Sequence, residues 1–212
     1  MKIIYTGGEG EIVEKKSRFI ATLRPVQTEA EAIAFIGEMK KKYWDARHNC
    51  SAFVIGKNQE ISRCSDDGEP SQTAGRPMLD VLLKEEIHNA AVVVTRYFGG
   101  VLLGTGGLVR AYQKAVQAGL NGSVILDIQP GQKLAVHTDY NGLGKIQYLL
   151  GKAKISIIEV EYTDQVIIHA MIPLELKEQI RKKITEGTNG TAMFEWQESV
   201  NFAVLEGEVI TL

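Results

Sequence analysis

Val92 to Tyr112, VVVTRYFGGVLLGTGGLVRAY, is the stretch around which this chain is organised. The β-branched run Val92, Val93, Val94, Thr95 predicts a buried strand, five glycines follow within nine residues (Gly99, Gly100, Gly104, Gly106, Gly107), and the remainder has helical spacing. Strand, glycine loop and helix in that order make an anion-site plan. Glycine lets backbone approach a ligand or adopt positive φ, and the start of a helix presents free N–H groups and a positive dipole end. Arg96 stands at the end of the strand and Thr105 is placed to cap the helix. Arg110, Gln113, Lys114 and Gln117 form one polar, basic stripe, with Leu108, Val109, Tyr112, Ala115 and Val116 facing inward. The competing reading is that the glycines only let the loop pack tightly against the core.

Nucleotide-binding motifs do not fit these glycines. Gly99 and Gly104 have the spacing of a P-loop, but Val101 and Leu102 fill the loop and no lysine follows Gly104 to reach a phosphate. A dinucleotide fingerprint starting at Gly104 and Gly106 would need a third glycine where Val109 stands. No cofactor is therefore expected.

A chain of 212 residues with 44% hydrophobic and 24% charged side chains is an ordinary globular protein of one large or two modest domains. No apolar run approaches a membrane span, and the N-terminus lacks the features of a signal peptide, so a cytoplasmic location without membrane contact is expected. Cys50 and Cys64 are too few for a disulfide scaffold and read as small buried side chains. Residues 1–128 carry 16 basic and 15 acidic groups and residues 129–212 carry 8 and 11, with seven of the eight arginines in the first part. Arginine suits bidentate contact with phosphate, which directs an anionic partner to that part; surface solvation and local ion pairing would use the same residues.

Upstream, Ser17–Val26 predicts a strand. Thr28 and Glu31 form a capping-box pattern for an amphipathic helix that ends in Lys40, Lys41 and Lys42, a solvated last turn that complements the dipole. A strand from about Cys50 and another over Glu60–Ser65 predict a hairpin. His48, Cys50, Cys64 and Asp66 could approach one another across it, but the spacing is not that of a zinc site, so no metal is assigned.

SDDGEPSQTAGRPML (Ser65–Leu79) is the second chemically dense stretch. Asp66, Asp67 and Glu69 put three carboxylates in one turn near Arg76, and Pro77 is placed to open a helix over Met78–Glu86. Such a turn could supply a general base or a magnesium ligand, or be plain loop chemistry, and no catalytic residue is assigned from it. Beyond the turn-rich segment Gly119–Gly131, the order strand, helix, strand, strand, helix, strand predicts a split-βαβ domain over 129–212, with His137 and His169 in structural roles.

DARHNCSA (Asp45–Ala52), the acidic turn and the glycine stretch together resemble the YigZ/IMPACT family of uncharacterised and translation-linked proteins, and the resemblance runs the whole length. It implies an α+β protein of two domains: 1–128 with the fold of elongation factor G domain IV, and 129–212 ferredoxin-like. Eukaryotic relatives are understood to compete for the activator of a starvation-sensing kinase that controls translation initiation. Where that pathway is absent, the shared architecture points to RNA, the ribosome or another translation-linked protein, in an oligomeric state that the sequence leaves open. Gln72 departs from the family pattern, standing where glycine is expected, which predicts a less open loop. The leading expectation is a non-enzymatic regulator that contacts RNA, the ribosome or a translation component through the first domain. The alternatives are an enzyme acting on a phosphorylated small molecule, which requires the carboxylates and the glycine loop to share a pocket, and a protein adaptor.

Overall fold

The computed structural model describes residues 1–212 and divides into two compact units, Met1–Leu126 and Asp127–Leu212. In chain order the first contains β1 (Lys2–Thr6), β2 (Glu9–Glu14), β3 (Ser17–Pro25), α1 (Glu29–Lys42), β4 (His48–Ile55), β5 (Ile61–Ser65), α2 (Gly75–Lys84), β6 (Ile87–His88), β7 (Ala90–Tyr97), α3 (Thr105–Asn121) and β8 (Val124–Asp127). The valine run lies at the centre: β7 is the middle strand of a five-stranded sheet in the order β2-β3-β7-β4-β5, in which every neighbouring pair is antiparallel. Strand period two explains why its apolar run is continuous. Ala90, Val92 and Val94 pack with Cys50, Ala52, Met78, Leu82, Leu108 and Val116 on the face covered by α2 and α3. Ala91 and Val93 pack with Phe53, Phe35 and Met39 on the face covered by α1.

Thr28 caps α1 by accepting from the Glu31 amide at 3.2 Å, and Glu31 reaches back to the Gln27 amide at 2.7 Å, one residue before the cap. The lysine end of α1 is not merely solvated, because Lys40 pairs with Asp67 at 2.5 Å and Lys42 with Glu9 at 3.1 Å. The β2–β3 hairpin turns on Lys15 and Lys16 alone, both with positive φ (45° and 67°). A short sheet β6-β1-β8 completes the unit.

The second unit contains β9 (Gln129–Thr138), α4 (Tyr140–Lys152), β10 (Ile157–Tyr162), β11 (Val166–Pro173), a 3₁₀ turn (Leu174–Leu176), α5 (Lys177–Gly187), β12 (Met193–Leu205) and β13 (Glu208–Thr211). Its sheet order is β10-β11-β9-β12-β13, antiparallel throughout. Leu134, Val136, Ile168 and Ala170 bury one face against Ile146 and Leu150 of α4 and Ile180 and Ile184 of α5. His137 and His169 contact Glu195 (3.4 Å) and Glu161 (2.7 Å). No helix is long and apolar enough to cross a membrane.

Candidate functional site

Strand parity builds the site. Arg96 follows Val94 by two residues and so emerges on the α2/α3 face, where its cross-strand partners are Phe19 on β3 and His48 on β4. Only 6% of Arg96 is exposed, with its guanidinium 5.4 Å from the Phe19 ring centre and 5.6 Å from that of Phe98. A buried cation requires a partner, and Glu69, brought in from the acidic turn, supplies one: Arg96 Nη1 donates to Glu69 Oε1 at 2.5 Å. The Tyr112 hydroxyl donates to the same oxygen at 2.8 Å, and Cys50 Sγ lies 3.3 Å from that hydroxyl and 2.9 Å from the Asp66 carbonyl oxygen. Burial, with the neighbouring Cys50 and Glu69, drives the Tyr112 pKa far upward, and burial pushes the Cys50 thiol up to about 12. Both groups therefore stay protonated at neutral pH, and Cys50 is no nucleophile. Cys64 does not share that burial; it is exposed on the edge strand β5.

The three carboxylates of the acidic turn separate. Asp66 accepts from the amides of Gln72 (2.8 Å), Ala74 (3.0 Å) and Gly75 (2.8 Å) and so closes the start of α2 from nine residues upstream of Gly75. This remote cap explains why the helix begins at Gly75 rather than near Met78, with Pro77 in its first turn, where no amide is needed. Asp67 accepts from the Asn49 amide at 2.7 Å and pairs with Lys40. Burial works against its charge, but the Lys40 ammonium, the Asn49 amide and nearby His48 outweigh it and hold the carboxyl below its usual range. Glu69 alone reaches the pocket described below, and exposed Arg76 pairs with Asp80 at 2.8 Å outside the site.

Gln72, at the position where glycine is expected, has φ +62°, a left-handed conformation that glycine adopts without strain. Gln72→Gly is expected to raise stability by up to about 1 kcal/mol, because relief of this conformation, worth about 1–2 kcal/mol, exceeds glycine's added entropy cost. Chemical denaturation of the two proteins checks this, and a loss of stability would contradict it.

The five glycines fall into three groups, two of them with a structural requirement for glycine. A Cβ at Gly99 would run into the Lys16 carbonyl, so this position is held for packing. Gly100 and Gly104 have positive φ (85° and 73°) in open space. Gly106 and Gly107 need neither: a Cβ at Gly106 would meet only Arg110 Nη1 at 3.5 Å, and one at Gly107 the Leu103 side chain at 3.0 Å. Thr105 does not cap the helix; Gly104 is the cap residue, Thr105 is the first helical residue, and no side chain closes that end. Arg110 leans back along the helix to bring its guanidinium to the first turn. Of the basic stripe, Arg110 and Lys114 share a depression with Glu14, Lys15 and Gly107, away from Arg96. Val109 is half-buried rather than core, and Ala111 is buried beside Tyr112.

Between the glycine loop and the acidic turn lies a pocket of about 420 Å³. Arg96 and Glu69 line it together with His48, Arg47, Gly104, Thr105, Pro70, Phe98 and Leu102. His48 Nδ1 lies 2.9 Å from the Asp67 carbonyl oxygen, which fixes Nδ1 as the donor and leaves Nε2 on the side of Glu69 Oε2, 4.0 Å away. Arg96 Nε is buried without a hydrogen-bond partner. His48, Cys50, Cys64 and Asp66 form no metal-holding group. Tyr112, Phe98, Leu102 and Arg47 were not legible as part of the site. Tyr112 reads as core because helical spacing does not show where its hydroxyl goes, Phe98 and Leu102 read as loop filling, and for Arg47 the only signal was its place beside His48.

Residues 15–120 match the Impact N-terminal domain family, and residues 136–191 match a domain family of unknown function, DUF1949. The chain is 45% identical to IMPACT family member YvyE of Bacillus subtilis over 86% of its own length and 84% of that protein's. To IMPACT family member YigZ of Escherichia coli it is 35% identical over 84% and 88%. It is similar to the crystal structure of a hypothetical protein with TM-score 0.58 and 33% identity, covering 93% of this chain and 97% of that one. With the family match over residues 15–120 and this identity over most of its length, the chain belongs to the IMPACT family.

Proposed function

We propose that the protein is a non-enzymatic, translation-linked regulator that engages RNA, free or on the ribosome, through its first unit. Family membership supports the link to translation. The observation that carries RNA contact is the uncapped start of α3, with open space at Gly104, the Arg110 guanidinium laid over its first turn beside Gly106, and Arg96 and Arg47 lining the adjoining pocket. Unbonded helix N–H groups beside arginines are a ready place for phosphate. The resemblance further assigns the first unit the fold of elongation factor G domain IV and the second a ferredoxin-like fold, and the βαββαβ order of the second, with β12-β9-β11-β10 as sheet neighbours, supports the latter.

Retention of RNA and of ribosomes across a salt series tests this. Wild type should lose affinity steeply with salt, and Arg47→Glu and Arg110→Glu should each bind weakly, with a salt slope reduced by about 1 for each phosphate no longer neutralised. Lys114→Glu alone should do less, because Lys114 lies a full turn beyond Arg110 from the open helix end. Equal retention by wild type and the arginine variants would overturn the reading. A second reading, an enzyme acting on a phosphorylated small molecule, gains from Glu69 and the glycine loop sharing one pocket with His48. It requires phosphate release from a phosphomonoester that His48→Ala abolishes.

A further inference from the structure

We propose that the pocket receives a single nucleotide bearing a terminal phosphate, with the phosphate at the open start of α3 and the base against Phe98 and Leu102; this rests on the RNA reading above. Four observations bear on it independently of the helix end itself. First, Arg96 has a side chain only 7% exposed, lines the pocket, and leaves Nε without a partner. A buried guanidinium donor left unbonded costs free energy, and a small shift of the Arg96 side chain on ligand entry would let a polar group complete it. Second, Arg96 and Glu69 in the pocket wall are both more than nine-tenths buried, so the wall holds a fixed polar pair rather than mobile surface side chains. Third, about 420 Å³ lies within the range of roughly 300–1,000 Å³ that single small-molecule ligands occupy. Fourth, the mouth is apolar where a phosphate alone would need no apolar wall: Phe98 is 46% exposed and Leu102 81% exposed. An aromatic ring and a leucine held open at a pocket mouth match the flat face of a nucleobase.

The charge distribution sets the orientation. Glu69 and Arg96 neutralise one another, and Glu69 Oε1 already accepts two hydrogen bonds, from Arg96 and Tyr112. The uncompensated positive groups that line the pocket are then Arg47 on the rim and the helix end at Gly104 and Thr105, with Arg110 over the first turn of α3 in the neighbouring depression. A terminal phosphate, which carries up to two charges against the single charge of an internal diester, gains more from that end. Glu69 Oε2 and His48 face the pocket with the polarity to bond sugar hydroxyls.

The full-length protein is titrated with a short oligoadenylate carrying a 5′-phosphate, the same oligomer with a 5′-hydroxyl, and AMP. The phosphorylated oligomer should bind at least about tenfold more tightly than the hydroxyl form, and AMP should compete with it. Phe98→Ala should weaken both the phosphorylated oligomer and AMP by about tenfold, the scale of one lost base stack. Leu102→Asp gives the same readout at a position too exposed to affect folding. AMP binding without oligomer binding would support the pocket assignment and overturn the RNA reading, marking a free nucleotide as the source. Equal binding of the two oligomers, or wild-type affinity in both variants, would overturn the pocket assignment while salt-dependent RNA retention still stood. Absence of binding by both AMP and the phosphorylated oligomer would also overturn it.

Discussion

Glu69→Ala is expected to destabilise the first unit by about 3–5 kcal/mol, the scale of a buried ion pair that loses one partner. The loss is large because two buried groups depend on one carboxylate oxygen. Arg96 would be left charged in a site where its side chain is 7% exposed, and the Tyr112 hydroxyl would lose its acceptor. Glu69→Leu combined with Arg96→Met should recover most of the loss, since an apolar pair of similar volume carries no buried charge. Amide hydrogen exchange at Val92, Val93 and Val94 under native conditions reports this unit alone and supplies the measurement. A change below about 1 kcal/mol in Glu69→Ala would show that the network contributes little to stability.

Gly99→Ala and Gly106→Ala should behave oppositely. At Gly99 the new methyl runs into the Lys16 backbone, and both this loop and the β2–β3 turn are backbone that must move; the Gly99 amide also donates to Ser17 Oγ at 3.1 Å. Overpacking of this kind costs about 1–3 kcal/mol or more. At Gly106 there is no positive φ and no contact closer than 3.5 Å, so stability should stay within about 0.5 kcal/mol of wild type while RNA retention falls, because the methyl partly covers the helix end. Thermal unfolding and RNA retention on both proteins separate the two roles. If Gly106→Ala binds RNA as wild type does, the open helix end is not where the phosphate sits.

The parts of this structure that were legible are those whose signal is local. The valine run marks the central strand because burial on both faces requires unbroken apolar sequence, and Thr28 with Glu31 marks α1 because a cap and its helix are adjacent. The glycine stretch and the acidic turn announced a site, and the structure places parts of both at one pocket. What escaped was non-local or lacked a compositional mark. The β2–β3 hairpin turns on two lysines in left-handed conformation, where Asn-Gly would have been the usual signal. The true start of α2 depends on Asp66, which the chain reaches only through the turn. The Arg96–Glu69 pair joins residues that no periodicity relates, and the two arginines nearest to Glu69 in sequence are engaged elsewhere, Arg63 by Glu29 and Arg76 by its helix neighbour Asp80.

The position of β7 between β3 and β4 has a further consequence, for how the protein folds. Arg96 finds Phe19 across one flank and His48 across the other, and Tyr112 and Glu69 arrive from elements outside the sheet. Each of these contacts closes a long loop, and the entropy of closing it is lost before the contact can stabilise the chain. The pocket is therefore expected to assemble late, because no single hairpin or helix contains Arg96, Glu69, His48 and Tyr112 together. On this expectation the pocket is complete only after β7 has docked between its partners, so its closure would report completion of the first unit rather than any stage on the way to it.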